Sequence, residues 1–186
     1  MGVEAHPWPA ERPHEPAAAP DLFVAVELPT TMGADAVGWL RQRIGALEAA
    51  GTHWQEAFLA THGRRLLCRF RGFPAAALGD ALNGAGLRIG GSWSGAVRDL
   101  ADAAAANVVV ERSGADGSAP DASPVTHQDM CLANHRVSPV RLVTLPDRRH
   151  LLAFYHAPDA ESVRLAQRHG SVPAGRVWAC RPVDTR

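Results

Sequence analysis

Three potential metal ligands recur at intervals of four residues in the second half of the chain: His127, Cys131 and His135. Side chains four residues apart lie on one face of a helix, and the pattern predicts a helix over about 125–135 that presents all three. An imidazole and a thiolate one turn apart suit nickel, zinc or copper. About 12 Å of helical rise separates His127 from His135, so Cys131 and His135 are the predicted central pair and His127 is an outer ligand or a bystander.

His156 is a further candidate ligand. A hairpin predicted in the same half places His156 opposite Ser138, which is close in sequence to His135. The alternative is that Cys131 is a core cysteine and that the histidines are surface residues. The sequence leaves both interpretations open.

A strand predicted over 52–60 carries candidate catalytic residues. Alternation along this strand places Glu56 between Trp54 and Phe58 on one face, and His53 on the other. Two aromatic neighbours on an inward face would desolvate the Glu56 carboxylate, an environment that suits a general acid or base.

Arg141 is the predicted counterpart of Glu56, because an internal shift of 85 residues aligns the two halves of the chain. If the halves pack face to face, Glu56 and Arg141 face each other in a pocket, and His53 completes the catalytic candidates. The alternative is an ion pair between sheets, or a solvated Glu56. Arg64 and Arg65 follow a hairpin turn and are predicted to be solvated.

Each half contains the same order of predicted elements: a strand, a helix, a hairpin of two strands, a second helix and a final strand. The final strands carry Trp93 and Trp178, which the shift aligns. This order predicts an α+β fold of tandem ferredoxin-like repeats over 21–97 and 107–182, joined by a linker over 98–106. Their apolar open faces predict a pseudo-dimeric α+β barrel or sandwich with a pocket between the two sheets.

Two segments outside the repeats' predicted elements are rich in small residues and proline. Residues 1–20 contain five prolines and predict a disordered arm. Residues 113–124, which read SGADGSAPDASP, predict a flexible loop because the segment has no large apolar side chain.

Two motifs of the second half carry a family resemblance: CLANH at 131–135, which closes a predicted helix, and APDAESVR at 157–164, which opens the next one. Together with Val172-Pro173 and Val177-Trp178, they make the segment 107–180 resemble a bacterial family of small ferredoxin-like domains. Some members of that family are nickel-binding or nickel-responsive. The resemblance implies the fold, nickel or another divalent transition metal as cofactor, and a homodimer as one allowed assembly.

The first half resembles the same family only weakly and is interpreted as a diverged copy. Ala46 and Ala50 stand where the 85-residue shift places Cys131 and His135. The resemblance therefore implies at most one metal site of this type in the chain.

Composition excludes several classes of function. The 186 residues contain 19 basic and 19 acidic side chains, and this balance argues against nucleic acid or an anionic membrane as a partner. All the basic residues are arginine, so neither a pyridoxal phosphate Schiff base nor the lysine of a nucleotide-binding phosphate loop is available. Three widely spaced cysteines and the lack of a secretory signal predict a cytoplasmic protein.

Three functional hypotheses remain open on the sequence. The first is a small soluble transition-metal binding protein of the nickel type. The second is a cofactor-free enzyme of secondary metabolism, such as an isomerase, cyclase or hydrolase, that uses the pocket between the sheets. The third is a non-catalytic protein that binds a small organic molecule.

Overall fold

A computed structural model describes residues 21–48, 53–72, 75–102, 105–113, 127–144, 150–171 and 175–185. The predicted arm 1–20 and the predicted loop after Ser113 lie outside these residues. The described residues form eight strands and four short helices, in the order β1 (Asp21–Glu27), α1 (Ala36–Glu48), β2 (His53–Ala60), β3 (Arg65–Arg71), α2 (Ala75–Gly84), β4 (Arg88–Asp99), β5 (Val108–Ser113), α3 (His127–Asn134), β6 (Ser138–Thr144), β7 (His150–His156), α4 (Ala160–His169) and β8 (Arg176–Val183).

The strands form one closed antiparallel barrel in the order β1-β3-β2-β8-β5-β7-β6-β4. The predicted fold class, tandem ferredoxin-like repeats forming a pseudo-dimeric α+β barrel or sandwich, was therefore wrong. The order of elements along each half is as predicted. The difference arises because β2 hydrogen-bonds to β8 and β4 hydrogen-bonds to β6, so the strands expected to be the edges of two separate sheets are joined.

The interior of the barrel is an apolar core to which strands of both halves contribute. Every second side chain of a strand points inward, and the buried inward residues include Phe23, Phe58, Leu67, Trp93, Val109, Val143, Leu152, Phe154 and Trp178. The Phe154 ring centroid lies 5.9 Å from that of Phe23 and 5.0 Å from that of Phe58. Packed side chains thus occupy the space in which a pocket between two sheets was predicted.

The helices cover the outer surface of the barrel. Leu40 of α1 and Leu78 and Leu82 of α2 pack on the outward side chains of β1, β2 and β3. Val163 and Ala166 of α4 pack on those of β5, β7 and β8. None of the described helices is long and apolar enough to cross a membrane.

A β-bulge in β2 separates residues that were predicted to share a face. The register passes from Trp54 opposite Phe70 to Glu56 opposite Arg69, so β2 contains one extra residue between the two pairs. Trp54 consequently packs outward, 5.4 Å from Phe70 between ring centroids, whereas Phe58 enters the barrel core. The prediction that two aromatic residues flank Glu56 on one face was wrong for Trp54.

Candidate functional site at the ends of the barrel

In the predicted metal pair of the second half, His135 contacts a histidine of another helix. Cys131 is half-buried in α3, and His135 follows the end of that helix. His135 Nε2 lies 3.0 Å from His169 Nδ1 of α4, and the two ring centroids are 4.9 Å apart. His135 is therefore engaged in the contact between α3 and α4.

The other two predicted ligands do not complete a metal site. His156 lies opposite Ser138, as predicted, but its Nδ1 is 3.0 Å from the carbonyl oxygen of Ala105. His127 begins α3, and its side chain lies outside the described residues. Within the described ranges, no three His, Cys, Asp or Glu side chains are grouped so that they could hold a metal ion. A cluster of three such ligands is therefore absent from the described side chains, where His135 contacts His169 and His156 contacts the carbonyl oxygen of Ala105, and a site on the pair of Cys131 and His135 stays a prediction.

Arg141 and Glu56 meet at one end of the barrel, which we call the lower end and define by Asp21, Glu56, Arg69, Asp99 and Arg141. Arg141 is only 3% exposed, and its Nη2 donates to Glu56 Oε1 at 3.1 Å while its Nη1 donates to Glu56 Oε2. Its Nε donates to Asp99. The predicted juxtaposition of Glu56 and Arg141 is therefore present, in the form of an ion pair.

Arg69 extends the same network. Its Nη2 donates to Asp21 Oδ2 at 3.0 Å and its Nη1 to Glu56 Oε1 at 3.4 Å, while Arg71 Nε donates to Asp21 Oδ1 at 3.3 Å. Burial raises the pKa of Asp21, but the hydrogen bonds and charges of Arg69 and Arg71 outweigh burial and leave that pKa below its ordinary value. Burial likewise lowers the pKa of Arg141, and its bonds to carboxylates outweigh burial and raise it. The lower end is thus a network of paired charges.

A cavity of about 290 Å³ opens beside Glu56 and is lined also by Gln55, Phe58 and Val183. Two guanidinium groups already occupy the carboxylate of Glu56, which therefore serves as an ion-pair partner more directly than as a proton carrier. His53 is exposed at the start of β2. A catalytic role for Glu56, Arg141 or His53 stays a prediction.

Arg65 organises the opposite end of the barrel, which we call the upper end and define by Glu27, Arg65, Arg88, Glu111 and Arg176. Arg65 is 3% exposed, so the prediction that it is solvated was wrong. Its Nη2 donates to both carboxylate oxygens of Glu111, at 2.7 and 2.9 Å, and its Nη1 donates to Glu27. Trp178 Nε1 also donates to Glu111, at 2.9 Å. Arg65 and these two carboxylates form a closed set of interactions beneath the upper surface.

Strand register explains why these groups meet. Glu27, the last residue of β1, lies opposite Arg65 of β3 on one side and opposite Arg88 of β4 on the other. The β1–β4 register shifts next to Gly90, and a Cβ atom at that position would lie 2.5 Å from Glu27 Oε1 and 2.6 Å from Arg65 Nη1. Glycine at position 90 therefore leaves the space in which the buried ion pair forms.

A cavity of about 480 Å³ lies next to this ion pair, and we call this cavity the mouth. Three further arginines line it, which are Arg64, Arg88 and Arg176. The side chains of Arg64 and Arg88 make no hydrogen bond or ion pair with any residue that the structure describes. Arg176 Nη1 is 3.9 Å from Glu27 Oε1, an oxygen that already binds Arg65. Among the described residues around the mouth, four arginines face the two carboxylates of Glu27 and Glu111, so positive charge is in excess there.

A second cavity of about 580 Å³ adjoins the mouth, since Glu27, Arg65 and Arg176 line it as well. We call its remaining part the side groove, which is lined by Thr61, His62, Ala160, Arg164, Val177, Trp178 and Ala179. Neither cavity was predicted from the sequence. The sequence did contain an indication of the upper end. Arg65 lies two residues before Leu67 in β3, so its side chain is on the same inward face as that of Leu67.

No family model matches the chain, and no curated protein shows significant sequence similarity to it. The resemblance of the second half to the nickel-responsive family therefore stays a prediction.

Proposed function

We propose that the protein binds a small organic molecule and that the mouth is the site for an anionic group of that molecule. One observation carries this proposal: Arg64 and Arg88, with no partner in the described residues, converge with Arg176 on a single cavity. The proposal corresponds to the third hypothesis from the sequence, a non-catalytic binding protein.

The chemistry of the guanidinium group supports an oxyanion as the ligand. Its planar fork of N–H donors matches the oxygens of a carboxylate or phosphate, and hydrogen bonds between such charged groups are about twice as strong as those between neutral groups. Arg65 holds the nearby Glu27 carboxylate, which reduces the repulsion that an arriving anion would meet. The mouth thus offers donors whose charge is not already matched.

The arrangement supports binding more directly than catalysis. Arg65 engages both acidic groups of the upper end, and His62 Nδ1 accepts a hydrogen bond from the backbone N–H of Arg64 at 3.1 Å. The titratable side chains beside the mouth therefore have structural partners, whereas the three arginines at its rim are the groups directed to a ligand.

An NMR chemical-shift titration with inorganic phosphate and with acetate, at low ionic strength, tests the proposal. We expect shifts that saturate at residues around Gly90, and an Arg88→Ala variant should bind about tenfold or more weakly, since one charge-assisted hydrogen bond contributes about 1.5–3 kcal/mol. Added neutral salt should weaken binding by screening the charges.

Arg98 provides the matched control, because it lies on the same strand as Arg88 and is exposed at the other end of the barrel. An Arg98→Ala variant should bind both anions as the unchanged protein does. The proposal fails if neither anion binds, or if Arg98→Ala weakens binding as much as Arg88→Ala.

A further inference from the structure

The side groove continues from the mouth, and we infer that the ligand is an aromatic carboxylate whose carboxylate lies in the mouth and whose ring lies in the side groove. This inference rests on the proposed function and adds the chemistry of the uncharged part of the ligand.

The two cavities differ in the residues that line them. The mouth has Leu28 and Ile89 as its larger apolar residues, and its other side chains are mainly charged. The side groove has four apolar residues, which are Ala160, Val177, Trp178 and Ala179. Apolar surface favours the part of a ligand that water solvates poorly. The charge distribution thus orients a ligand that is charged at one end only.

Arg164 shows why the groove suits an uncharged group rather than a second anion. Its Nη2 donates to the carbonyl oxygen of Val177 at 2.8 Å and its Nη1 to Glu161 Oε2 at 3.0 Å. These contacts hold the guanidinium against the wall of the groove and pair it with a carboxylate that Arg168 shares. Arg164 is therefore engaged by the protein, whereas Arg64 and Arg88, whose side chains have no partner among the described residues, line the mouth.

Arg176 fixes where the two parts of the ligand join. It lines both cavities, and its side chain is 61% exposed. A carboxylate beside Arg176 would leave the next atoms of the ligand at the entrance of the side groove. An aromatic ring suits the groove because it carries a large apolar area with few rotatable bonds.

Phenylacetate and acetate separate the two parts of the ligand in one NMR titration. We expect phenylacetate to bind about tenfold more tightly than acetate, from burial of the ring. An Ala160→Leu substitution, which fills the groove, should remove that difference and leave acetate binding unchanged. Ala133→Leu is the control, because Ala133 is an exposed alanine on α3, away from both cavities.

The outcomes distinguish this inference from the proposed function. If acetate and phosphate bind and phenylacetate binds no more tightly than acetate, the aromatic ligand is overturned and the anion site stands. If phenylacetate binds more tightly but Ala160→Leu behaves like Ala133→Leu, the ring lies elsewhere and the inference is also overturned. If no anion binds, both fail.

Discussion

The upper and lower ends of the barrel use the same residue types and balance them differently. Each end contains a nearly inaccessible arginine, Arg65 above and Arg141 below, which bridges carboxylates on neighbouring strands or across the barrel. At the lower end Arg69, Arg141 and the adjacent Arg71 pair with Asp21, Glu56 and Asp99, and Arg98 is exposed outside this network. At the upper end Arg64 and Arg88 lie near the same kind of buried pair without a carboxylate partner among the described residues, while Arg176 lies 3.9 Å from Glu27.

This difference separates charges that close the fold from charges that are available to a ligand. A buried guanidinium must be matched by hydrogen-bonded anions, because an unpaired buried charge is costly. Arg65 and Arg141 meet that requirement within the chain. Exposed arginines such as Arg64 and Arg88 bear no such cost in water, and an arriving anion can pair with them without displacing a protein partner.

The largest expected effect comes from removing a buried arginine. An Arg65→Met variant would leave the carboxylates of Glu27 and Glu111 without their shared cation, and we expect it to lower the free energy of unfolding by about 3–5 kcal/mol. Arg141→Met should have a smaller effect at the lower end, because Arg69 still pairs with Glu56 and the Asp99 side chain is half exposed. Urea denaturation measures both.

Neutralising the stranded carboxylates tests the cause of that loss. Combining Arg65→Met with Glu111→Gln should recover part of the lost stability, because one uncompensated charge is removed. A loss below about 1 kcal/mol for Arg65→Met would contradict the interpretation of this residue as the structural cation of the upper end.

Much of the fold could be predicted from the sequence, and closure of the barrel could not. The spacing of apolar residues in α1 and the runs of apolar residues in β1 and β3 are local signals, and they gave the order of elements along each half. Pairing of β2 with β8 and of β4 with β6 joins residues more than 40 positions apart. Strand pairing over such distances depends on which edges meet in three dimensions, which periodicity does not encode.

For single residues of the candidate site, too, local sequence patterns could not predict which side chains meet in three dimensions. The 85-residue shift brought Glu56 and Arg141 together correctly, but it could not reveal the bulge that turns Trp54 outward. Spacing along α3 favoured a metal pair, whereas His135 contacts His169 of another helix. The mouth was missed because Arg64 and Arg88 are far apart in sequence and are brought together only through the pairing of β1 with both β3 and β4.

A smaller effect is expected from Gly90, where side chains of the upper end leave no room for a methyl group. Gly90→Ala should cost about 1–3 kcal/mol, because Glu27 or Arg65 must shift from the buried ion pair. The control is Gly79→Ala in α2, where an added Cβ meets nothing within 4 Å. That substitution should stabilise the protein by about 0.5–1 kcal/mol through helix propensity. Thermal denaturation measures both changes in stability. A neutral Gly90→Ala would contradict the prediction that the upper end has no room for a methyl group at this position.

The ionisation of Asp21 makes the stability of the folded protein depend on pH at the lower end of the barrel. Because Arg69 and Arg71 lower its pKa in the folded state, its ionised form stabilises the fold above the unfolded pKa of about 3.9, and this stabilisation is lost as the pH falls through the lower folded pKa. We expect Asp21→Asn to cost about 1.5 kcal/mol at neutral pH, allowing for the exposure of Arg71.

The difference between the unchanged protein and Asp21→Asn should therefore shrink as the pH falls below about 4. Urea denaturation across this range measures it. Asp80→Asn is the control, since Asp80 is exposed on α2 and should leave the pH dependence unchanged. A constant difference across the acidic range would show that the Asp21 contacts do not depend on ionisation.

The smallest expected change in stability comes from a comparison of two tryptophans, Trp93 and Trp178, which are 85 residues apart and both belong to the barrel core. Trp178 Nε1 donates to Glu111 of the upper end, whereas the Trp93 indole has no hydrogen bond to a residue in the described ranges. Trp178→Phe and Trp93→Phe remove similar apolar area, so the additional loss in Trp178→Phe should reflect the hydrogen bond. We expect about 1 kcal/mol, because Arg65 already matches the charge of the Glu111 carboxylate. Urea denaturation of both variants in an Arg65→Met background should show a larger difference, because Glu111 then depends on the indole alone. If Trp178→Phe and Trp93→Phe cost the same stability in both the unchanged protein and the Arg65→Met variant, the indole of Trp178 does not help to stabilise the Glu111 carboxylate.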